Sequence, residues 1–117
     1  MRPPRELRVS RDRKLLNVCF PDEEPMPLSA EMLRVLSPSA EVQGHSPDQR
    51  VTVSGKKDVE IARIEPVGNY AVRIVFNDGH ETGLYSWSYL AQLGREREQL
   101  WQRYLEELHE KGLSRER

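Results

Sequence analysis

Histidine is the side chain whose charge changes near neutral pH, and it is the commonest protein ligand for transition metals. The chain contains three histidines, His45, His80 and His109. An iron site built from two histidines and one carboxylate usually begins with a histidine followed, two residues later, by an acid on the same strand. The residues two positions after the three histidines are Pro47, Thr82 and Lys111. The spacing therefore does not indicate that chemistry.

The three histidines have different surroundings in the sequence. His109 falls on the charged side of a helical segment, and we interpret it as a solvated surface residue. His45 lies in a polar loop, where functional residues are common. For His80, which follows a tight turn, two roles stay open: a hydrogen bond across the turn, or ligation of a metal. If the fold brings His45, His80 and Glu41 together, these three residues are the candidate metal ligands.

Other patterns of catalytic residues are missing from the sequence. It has no glycine-rich phosphate loop, no paired-cysteine motif and no nucleophile elbow. Cys19 is the only cysteine, which excludes an internal disulfide, and its neighbours Val18 and Phe20 favour a buried thiol over a reactive nucleophile. We therefore expect no catalytic residue, no cofactor and no enzymatic activity, with zinc or iron at the histidines as the alternative.

Length and charge limit the class of protein. A chain of 117 residues suits one domain with a modest core. Its net charge of -1 argues against bulk attraction to nucleic acid or to an anionic membrane. No apolar run approaches the ~20 residues of a membrane span, and the N-terminus lacks a hydrophobic signal core. These features are typical of a cytoplasmic protein, and they do not indicate an oligomeric state.

The stretch from Asn69 to Gly94 predicts the central structure of the domain. Apolar residues alternate from Tyr70 to Phe76, as in a half-buried strand. The turn sequence Asn-Asp-Gly follows, and residues 81–85 can pair back as a second strand. Ser86 is a plausible N-cap for a helix over residues 87–93, and Gly94 stands where a helix end favours glycine.

The rest of the chain predicts further short elements. Residues 7–9 and 15–20 form a hairpin, after which three prolines produce an acidic loop. Ser29 caps a short helix that ends at residue 36. A long polar connection follows from Ser37 to Ser54, with a short strand at residues 51–53. Residues 59–64 pair with residues 70–76, which completes a three-stranded meander.

The C-terminal segment, residues 95–111, has the apolar spacing of an amphipathic helix. Burial of its apolar stripe against the domain is favoured over an exposed partner-binding face. Taken together, the elements predict an α+β domain, with a small antiparallel sheet of about five short strands and two or three helices packed on it. We expect a disordered arm over residues 1–6, a single domain over 7–112 and a frayed tail over 113–117.

Several motifs occur in the order found in a known family. The sequence resembles the gamma-butyrobetaine hydroxylase-like N-terminal domain family from about Leu7 to Gly94. Members of that family include small bacterial stand-alone proteins of unknown function, the N-terminal domain of carnitine-pathway oxygenases, and a domain attached to P-loop carriers of iron-sulfur clusters. The matching segments are Leu33-Arg34, Ser37-Pro38-Ser39-Ala40-Glu41, Gln43-Gly44-His45, Val67-Gly68-Asn69-Tyr70-Ala71-Val72, Asp78-Gly79-His80 and Gly83-Leu84-Tyr85-Ser86-Trp87-Ser88-Tyr89-Leu90.

In the oxygenases of this family, the resemblance implies a structural zinc held by three cysteines and one histidine. The cysteine positions correspond here to Ser37, Ser39 and Val42, and the histidine position corresponds to His80. Serine hydroxyls are poor zinc ligands at neutral pH and valine is none. We therefore expect this chain to fold without that zinc.

The resemblance, with the absence of a catalytic pattern, leads to three hypotheses. The first is a non-catalytic binding or accessory module that recognises a protein partner through the Ser37–Ser54 loop and the surface around His80 and Trp87. The second is a metal-binding accessory protein linked to iron-sulfur cluster assembly, with His80 as the anchor and His45 or Cys19 as helpers. The third, an enzyme acting alone, requires a closed pocket with convergent titratable groups. The candidate partner-binding residues are Gln43, Gly44, His45, His80 and Trp87.

Overall fold

The computed structural model describes residues 2–44 and 46–116. Over these residues the chain forms two antiparallel sheets of three strands each, four helices and one 3-10 turn at Pro47–Gln49. The first sheet contains β1 (Glu6–Val9), β2 (Leu15–Cys19) and β3 (Met26–Ser29). The second contains β4 (Ile61–Val67), β5 (Ala71–Phe76) and β6 (Leu84–Ser86). The helices are α1 (Ala30–Val35), α2 (Ala40–Gln43), α3 (Trp87–Arg95) and α4 (Arg97–Glu110).

The first sheet confirms the predicted hairpin of β1 and β2 and adds β3, which the sequence analysis placed in a loop. β3 includes Pro27, and it tolerates this residue because it pairs on one side only. Met26 and Leu28 on either side of Pro27 are buried. Because of Pro27, the local sequence pattern indicates a loop at the position where β3 forms. Ser29 ends β3 and caps α1 as predicted, since its Oγ accepts the Met32 amide at 3.0 Å.

The second sheet is the predicted meander of β4, β5 and β6. Val72, Ile74 and Phe76 of β5 are buried on one face, together with the fully buried Tyr85 of β6. The other face of β5 is not a polar one, because Ala71 and Val75 are buried as well. Tyr70 was expected on the apolar face but is 60% exposed, because it belongs to the turn before β5.

The predicted α+β class is confirmed, but the strands divide into two sheets where one sheet of about five strands was expected. Arg13, in the turn between β1 and β2, connects them. Its carbonyl accepts the Ile61 amide at 2.8 Å, and its guanidinium donates to the Ala62 carbonyl at 2.9 Å. A single turn residue that contacts β4 does not extend a strand ladder, so the two sheets stay separate.

Helices α3 and α4 cover the sheets. Ser86 caps α3 as predicted, since its Oγ accepts the Tyr89 amide at 3.1 Å. Gly94 was expected to end this helix but lies within its last turn. Packing requires glycine there, since a Cβ would come within 2.3 Å of the Met26 Sδ. The apolar stripe of α4 faces the core, as favoured. Its members are Leu100, Trp101, Tyr104, Leu105 and Leu108.

Both chain ends make more contacts than the sequence indicated. The Arg5 amide donates to the Cys19 carbonyl at 2.6 Å, within the arm expected to be disordered. In the segment expected to be frayed, the Ser114 carbonyl accepts the Gly55 amide at 2.8 Å, and the Arg115 carbonyl accepts the Lys57 amide at 3.1 Å. Such backbone hydrogen bonds to distant segments leave no trace in local sequence patterns.

Candidate functional site

The turn between β5 and β6 positions His80. The Phe76 amide donates to the His80 carbonyl at 3.0 Å, and the His80 amide donates to the Asp78 carboxylate at 3.0 Å. Gly79 provides the left-handed conformation that the turn requires, with a φ of 92°. The turn aims the imidazole inward, and the His80 side chain is only 6% exposed.

Both ring nitrogens of His80 have partners on the segment that follows α1. Nε2 lies 2.8 Å from the Ser37 Oγ, and Nδ1 lies 3.4 Å from a carboxylate oxygen of Glu41. The Ser37 Oγ also accepts the Ser39 amide at 3.3 Å. A neutral imidazole with its proton on Nδ1 satisfies this pattern, because Nε2 can then accept the Ser37 hydroxyl proton. The hydrogen-bonding role considered for His80 is thus present, and it extends beyond the turn.

Helix α2 and its flanks cover this histidine. The Glu41 carboxylate accepts a hydrogen bond from the Thr82 hydroxyl, at 2.7 Å. The Gln43 side chain donates to the Ser37 carbonyl at 2.9 Å. These contacts fold residues 37–43 onto the β5–β6 turn. We name Ser37, Ser39, Glu41, His80 and Thr82 the Ser37–His80 cluster.

A charged group lies beside the cluster. The Asp78 carboxylate contacts the Arg34 Nε at 2.8 Å and the Lys56 Nζ at 2.6 Å. Burial acts to raise the pKa of Asp78, but hydrogen bonds from Lys56, the His80 amide and Arg34 outweigh it and lower the pKa to about 2. Asp78 is therefore ionised at neutral pH and is paired with two cations.

The same surroundings keep His80 neutral. Burial lowers the pKa of His80 below its ordinary value, and the positive charge of Arg34 lowers it further. The carboxylates of Glu41 and Asp78 oppose this shift without reversing it. A neutral, nearly buried imidazole with both nitrogens engaged suits a structural role better than proton transfer to a ligand.

The residues at the family's zinc positions do not fit zinc. Ser37 and His80 are close together, but the His80 Nε2 is already hydrogen-bonded to the Ser37 hydroxyl. The Ser39 Oγ is buried without a hydrogen-bond partner, and Val42 contributes a buried apolar side chain. Two hydroxyls, one imidazole and a valine do not form a tetrahedral thiolate-type site. Among residues 2–44 and 46–116, no three His, Cys, Asp or Glu side chains form a group that could hold a metal ion.

The predicted site residues are only partly brought together. Glu41 and His80 are in contact, and Gln43 lies on the same segment, whereas His45 falls outside the described residues. Trp87 is elsewhere: its indole donates to the Asn69 carbonyl at 2.7 Å, at the beginning of β5. His80 lies past the end of this six-residue strand, so the two are separated by about 20 Å along it. A single compact surface does not contain both.

Sequence reasoning missed the charged partners in this region. Lys56 and Arg34 converge on Asp78 from positions 22 and 44 residues away, a separation that no local pattern indicates. Gly83 belongs to one of the family motifs, and a Cβ there would come within 2.4 Å of the Ser37 Oγ. The proximity of glycine to the cluster is visible only in three dimensions.

The second half of the predicted loop forms a separate surface. Arg50 pairs with Glu107 of α4, the Thr52 hydroxyl donates to the same carboxylate at 3.1 Å, and the Tyr104 hydroxyl donates to the Val53 carbonyl at 2.7 Å. The predicted strand at residues 51–53 is not formed. A groove of about 240 Å³ lies between this segment and α3 and α4. Its lining includes Leu36, Gln43, Arg50, Tyr89, Leu100 and Glu107.

Together these features define a small α+β domain in which His80 belongs to a hydrogen-bonded cluster. A family described as gamma-butyrobetaine hydroxylase-like, N-terminal, matches residues 7–91. The chain belongs to this family, as the resemblance implied. No curated protein sequence matches the chain. Within the described residues, no helix is long and apolar enough to cross a membrane.

Solved structures show the same fold. One protein with a solution NMR structure is 44% identical and superimposes with a TM-score of 0.85, and the alignment covers 99% of this chain and 91% of that one. A second NMR structure is 45% identical, with a TM-score of 0.83 and coverage of 98% and 86%. A crystal structure of a DUF971-family protein of unknown function from Acidithiobacillus ferrooxidans is 35% identical. Its TM-score is 0.64, with coverage of 78% of this chain and 91% of that one.

Proposed function

We propose that this protein is a non-catalytic accessory module that recognises a protein partner through the segment from α2 to residue 53. We name Gln43, Gly44, Arg50 and Val51, with the groove beside them, the loop surface. The observation that carries the proposal is the groove that Gln43 and Arg50 line against α3 and α4, with the apolar side chain of Val51, the next residue in the chain, 49% exposed. Loops carry binding residues more often than helices and strands do, and a groove with both apolar and polar lining is the kind of surface that takes a partner's side chain.

Contacts with α2 and α4 hold the loop surface on the domain. The Val51 amide donates to the Val42 carbonyl at 2.7 Å, and Arg50 on the preceding position pairs with Glu107. Gly44 ends α2 with a φ of 68° and approaches Gln49, so a Cβ at Gly44 would come within 2.7 Å of the Gln49 Cβ. Because a fixed loop loses little conformational entropy on binding, more of its contact energy contributes to affinity.

The non-catalytic part of the proposal rests on the state of the titratable groups. His80 is neutral, and both of its ring nitrogens face protein partners. Burial raises the pKa of Tyr85 well above its ordinary range, and its hydroxyl donates to the Leu33 carbonyl. Asp78 is neutralised by two cations. The perturbed groups are therefore committed to internal contacts, which supports a binding role over a reaction.

In this proposal His80 acts from beneath the surface. It supports residues 37–43 through Ser37 and Glu41 and does not itself touch the partner. Trp87, at the far end of β5, lies outside the surface. His80→Ala is therefore expected to weaken partner binding only as far as it loosens the loop. Trp87→Ala should lower stability, because the indole packs against the core, but the protein that remains folded should bind as the wild type does.

Matched surface variants test the proposal. Val51→Asp and Leu84→Asp each place a charge on an exposed apolar position, 49% and 42% exposed, on different surfaces. Proteins captured from native lysate by the wild type and retained by Leu84→Asp, but lost with Val51→Asp, would support the loop surface. The loop surface would be refuted if capture is lost with Leu84→Asp and kept with Val51→Asp. It would also be refuted if neither substitution changes the captured proteins.

The metal-binding alternative has one observation in its favour, the approach of Glu41 to His80 at 3.4 Å. Two such side chains are too few to hold zinc or iron, so the site would need further ligands. Elemental analysis of the protein purified without chelator, with His80→Ala as the comparison, tests this alternative. A metal present at about one ion per chain in the wild type and lost in His80→Ala would favour the metal-binding alternative. A metal content below about one-tenth of an ion per chain would eliminate it.

A further inference from the structure

Glu31, in the first turn of α1, is a buried acid with one dedicated partner. Its side chain is only 6% exposed. The Arg115 Nε donates to Oε2 and the Arg115 Nη2 donates to Oε1, both at 2.8 Å. This is the two-pronged geometry in which guanidinium recognises a carboxylate, and it is stronger and more specific than a single ion pair.

The indole of Trp101 completes the site. The Arg115 Cζ lies 5.2 Å from the centre of the Trp101 ring, within the range of a cation–π contact. Tyr104 supports the indole, with ring centres 5.3 Å apart. A buried carboxylate beside an aromatic face forms a pocket for a planar cation. We name it the Glu31–Trp101 pocket.

The pocket and its occupant differ in how firmly they are held. Glu31 and Trp101 belong to helices packed on the core, whereas Arg115 lies beyond the last helix. The Arg115 side chain is 38% exposed, and the backbone of its segment is joined to residues 55–57 by two hydrogen bonds. Release of this segment would break those two hydrogen bonds and the Lys57–Glu116 ion pair, and it would leave the contacts of Glu31 and Trp101 with the core in place.

A groove continues from the pocket. It has a volume of about 430 Å³ and is lined mainly by apolar groups, among them Leu15, Pro27 and Met32. Its charged residues are Glu31, Glu98, Arg97 and Arg115. If Arg115 leaves, two acids and one base remain. The lining then has a net negative charge, which is complementary to a cationic residue with apolar neighbours.

We propose that the Glu31–Trp101 pocket is a binding site for the arginine side chain of a partner protein segment, and that Arg115 is an internal ligand which occupies it. The fork of the guanidinium pairs with Glu31, its face stacks on Trp101, and the residues next to the arginine enter the groove. This site stands apart from the loop surface and does not depend on the function proposed for it.

Binding of a blocked arginine to the full-length protein tests the inference. The ligands are N-acetyl-arginine methylamide and, as a control, N-acetyl-lysine methylamide. The readout is the NMR signal of the Trp101 indole N–H, with that of Trp87 as an internal reference. In Arg115→Ala the arginine ligand should shift the Trp101 signal saturably, with an apparent affinity at least about tenfold higher than in the wild type, because the pocket is then vacant. The lysine ligand should bind more weakly, since it lacks the planar fork.

Matched variants separate recognition from stability. Arg115→Ala/Glu31→Gln should lose the response, and Arg95→Ala, which removes an exposed arginine elsewhere, should behave as the wild type does. Arg115→Lys keeps a positive charge beside Glu31 and should show an intermediate affinity, so it provides the test if Arg115→Ala does not fold. The inference is overturned if folded Arg115→Ala or Arg115→Lys gives no gain in binding, or if the double variant responds equally. If the solution mass of the wild type rises with protein concentration while Arg115→Ala stays monomeric, the arginine of a second copy occupies the pocket. That result would overturn the assignment of Arg115 as an internal ligand.

Discussion

Tyr85→Phe tests whether the buried contact between β6 and α1 stabilises the domain. Tyr85 is fully buried, and its hydroxyl donates to the Leu33 carbonyl in the last turn of α1. Carbonyls in the last turn of a helix lack partners within the helix. The Ser37 amide, which could have supplied one, donates to Arg34 instead. The phenolic hydroxyl is thus the partner that satisfies the Leu33 carbonyl.

The expected loss in the free energy of unfolding follows from the Leu33 carbonyl that Tyr85→Phe leaves without a partner. Phenylalanine fills the same space, so no large cavity forms, but the Leu33 carbonyl stays buried without its hydrogen bond. Such a group costs about 1–3 kcal/mol. We expect a loss of about 2 kcal/mol in the free energy of unfolding. For a domain of this size, the midpoint of thermal unfolding should fall by about 8 °C.

Urea unfolding of three Tyr→Phe variants is the assay. Tyr89→Phe removes a similar bond, to the Leu36 carbonyl, at a half-buried position that water can reach, and should cost about 1 kcal/mol. Tyr70→Phe, at a residue 60% exposed, should stay within about 0.5 kcal/mol of the wild type. If Tyr85→Phe were no more costly than Tyr70→Phe, the argument from the unsatisfied carbonyl would be refuted.

Three further predictions concern packing and pH. Gly94→Ala should lower the free energy of unfolding, measured in urea, by about 1–3 kcal/mol, because the new Cβ would come within 2.3 Å of the Met26 Sδ. A loss below about 0.5 kcal/mol would mean that the Met26 side chain moves aside freely. Burial lowers the pKa of His80, so the stability that the neutral imidazole contributes is present above pH 6.5 and is lost as the pH falls through the lowered pKa. The urea midpoint of the wild type should therefore decline between pH 7.5 and about 5.5, and that of His80→Asn should decline less. Equal slopes for the two proteins would contradict this prediction. Burial and the charge of Glu31 raise the pKa of Tyr104 to about 12, so its contribution to stability is complete below pH 10 and is lost as the pH rises towards 12. Phenolate absorbance in the wild type, compared with Tyr104→Phe, should show this group ionising about two pH units late, and ionisation near pH 10 would refute it.

Much of the fold could be predicted from local patterns. The caps at Ser29 and Ser86 depend on a hydroxyl three residues before an amide, which the sequence shows directly. The meander of β4, β5 and β6 follows from short turns between apolar runs. β3 was missed because Pro27 usually indicates a loop, and only the pairing of β3 on one side makes the proline acceptable.

The candidate site was predictable only in part. The resemblance placed Ser37 and His80 at two zinc-ligand positions of the family's oxygenases, and the structure places them 2.8 Å apart. It did not indicate that the His80 ring would be nearly buried, or that Lys56 and Arg34 would neutralise Asp78 nearby. These contacts join residues far apart in the chain, and their energies depend on burial, which a sequence does not record.

The sequence by itself determined the class of fold, the capped helices, the core strands and the family, because these depend on hydrophobic period, turn residues and ordered motifs. Only the tertiary structure decided that the strands form two sheets, that Trp87 and His80 lie at opposite ends of β5, and that Arg115 from the tail enters a pocket formed by Glu31 and Trp101. The physical reason is that each of these outcomes depends on which distant surfaces meet. The contacts between distant surfaces are set by the free energy of the whole chain, and the preferences of one segment alone do not determine them.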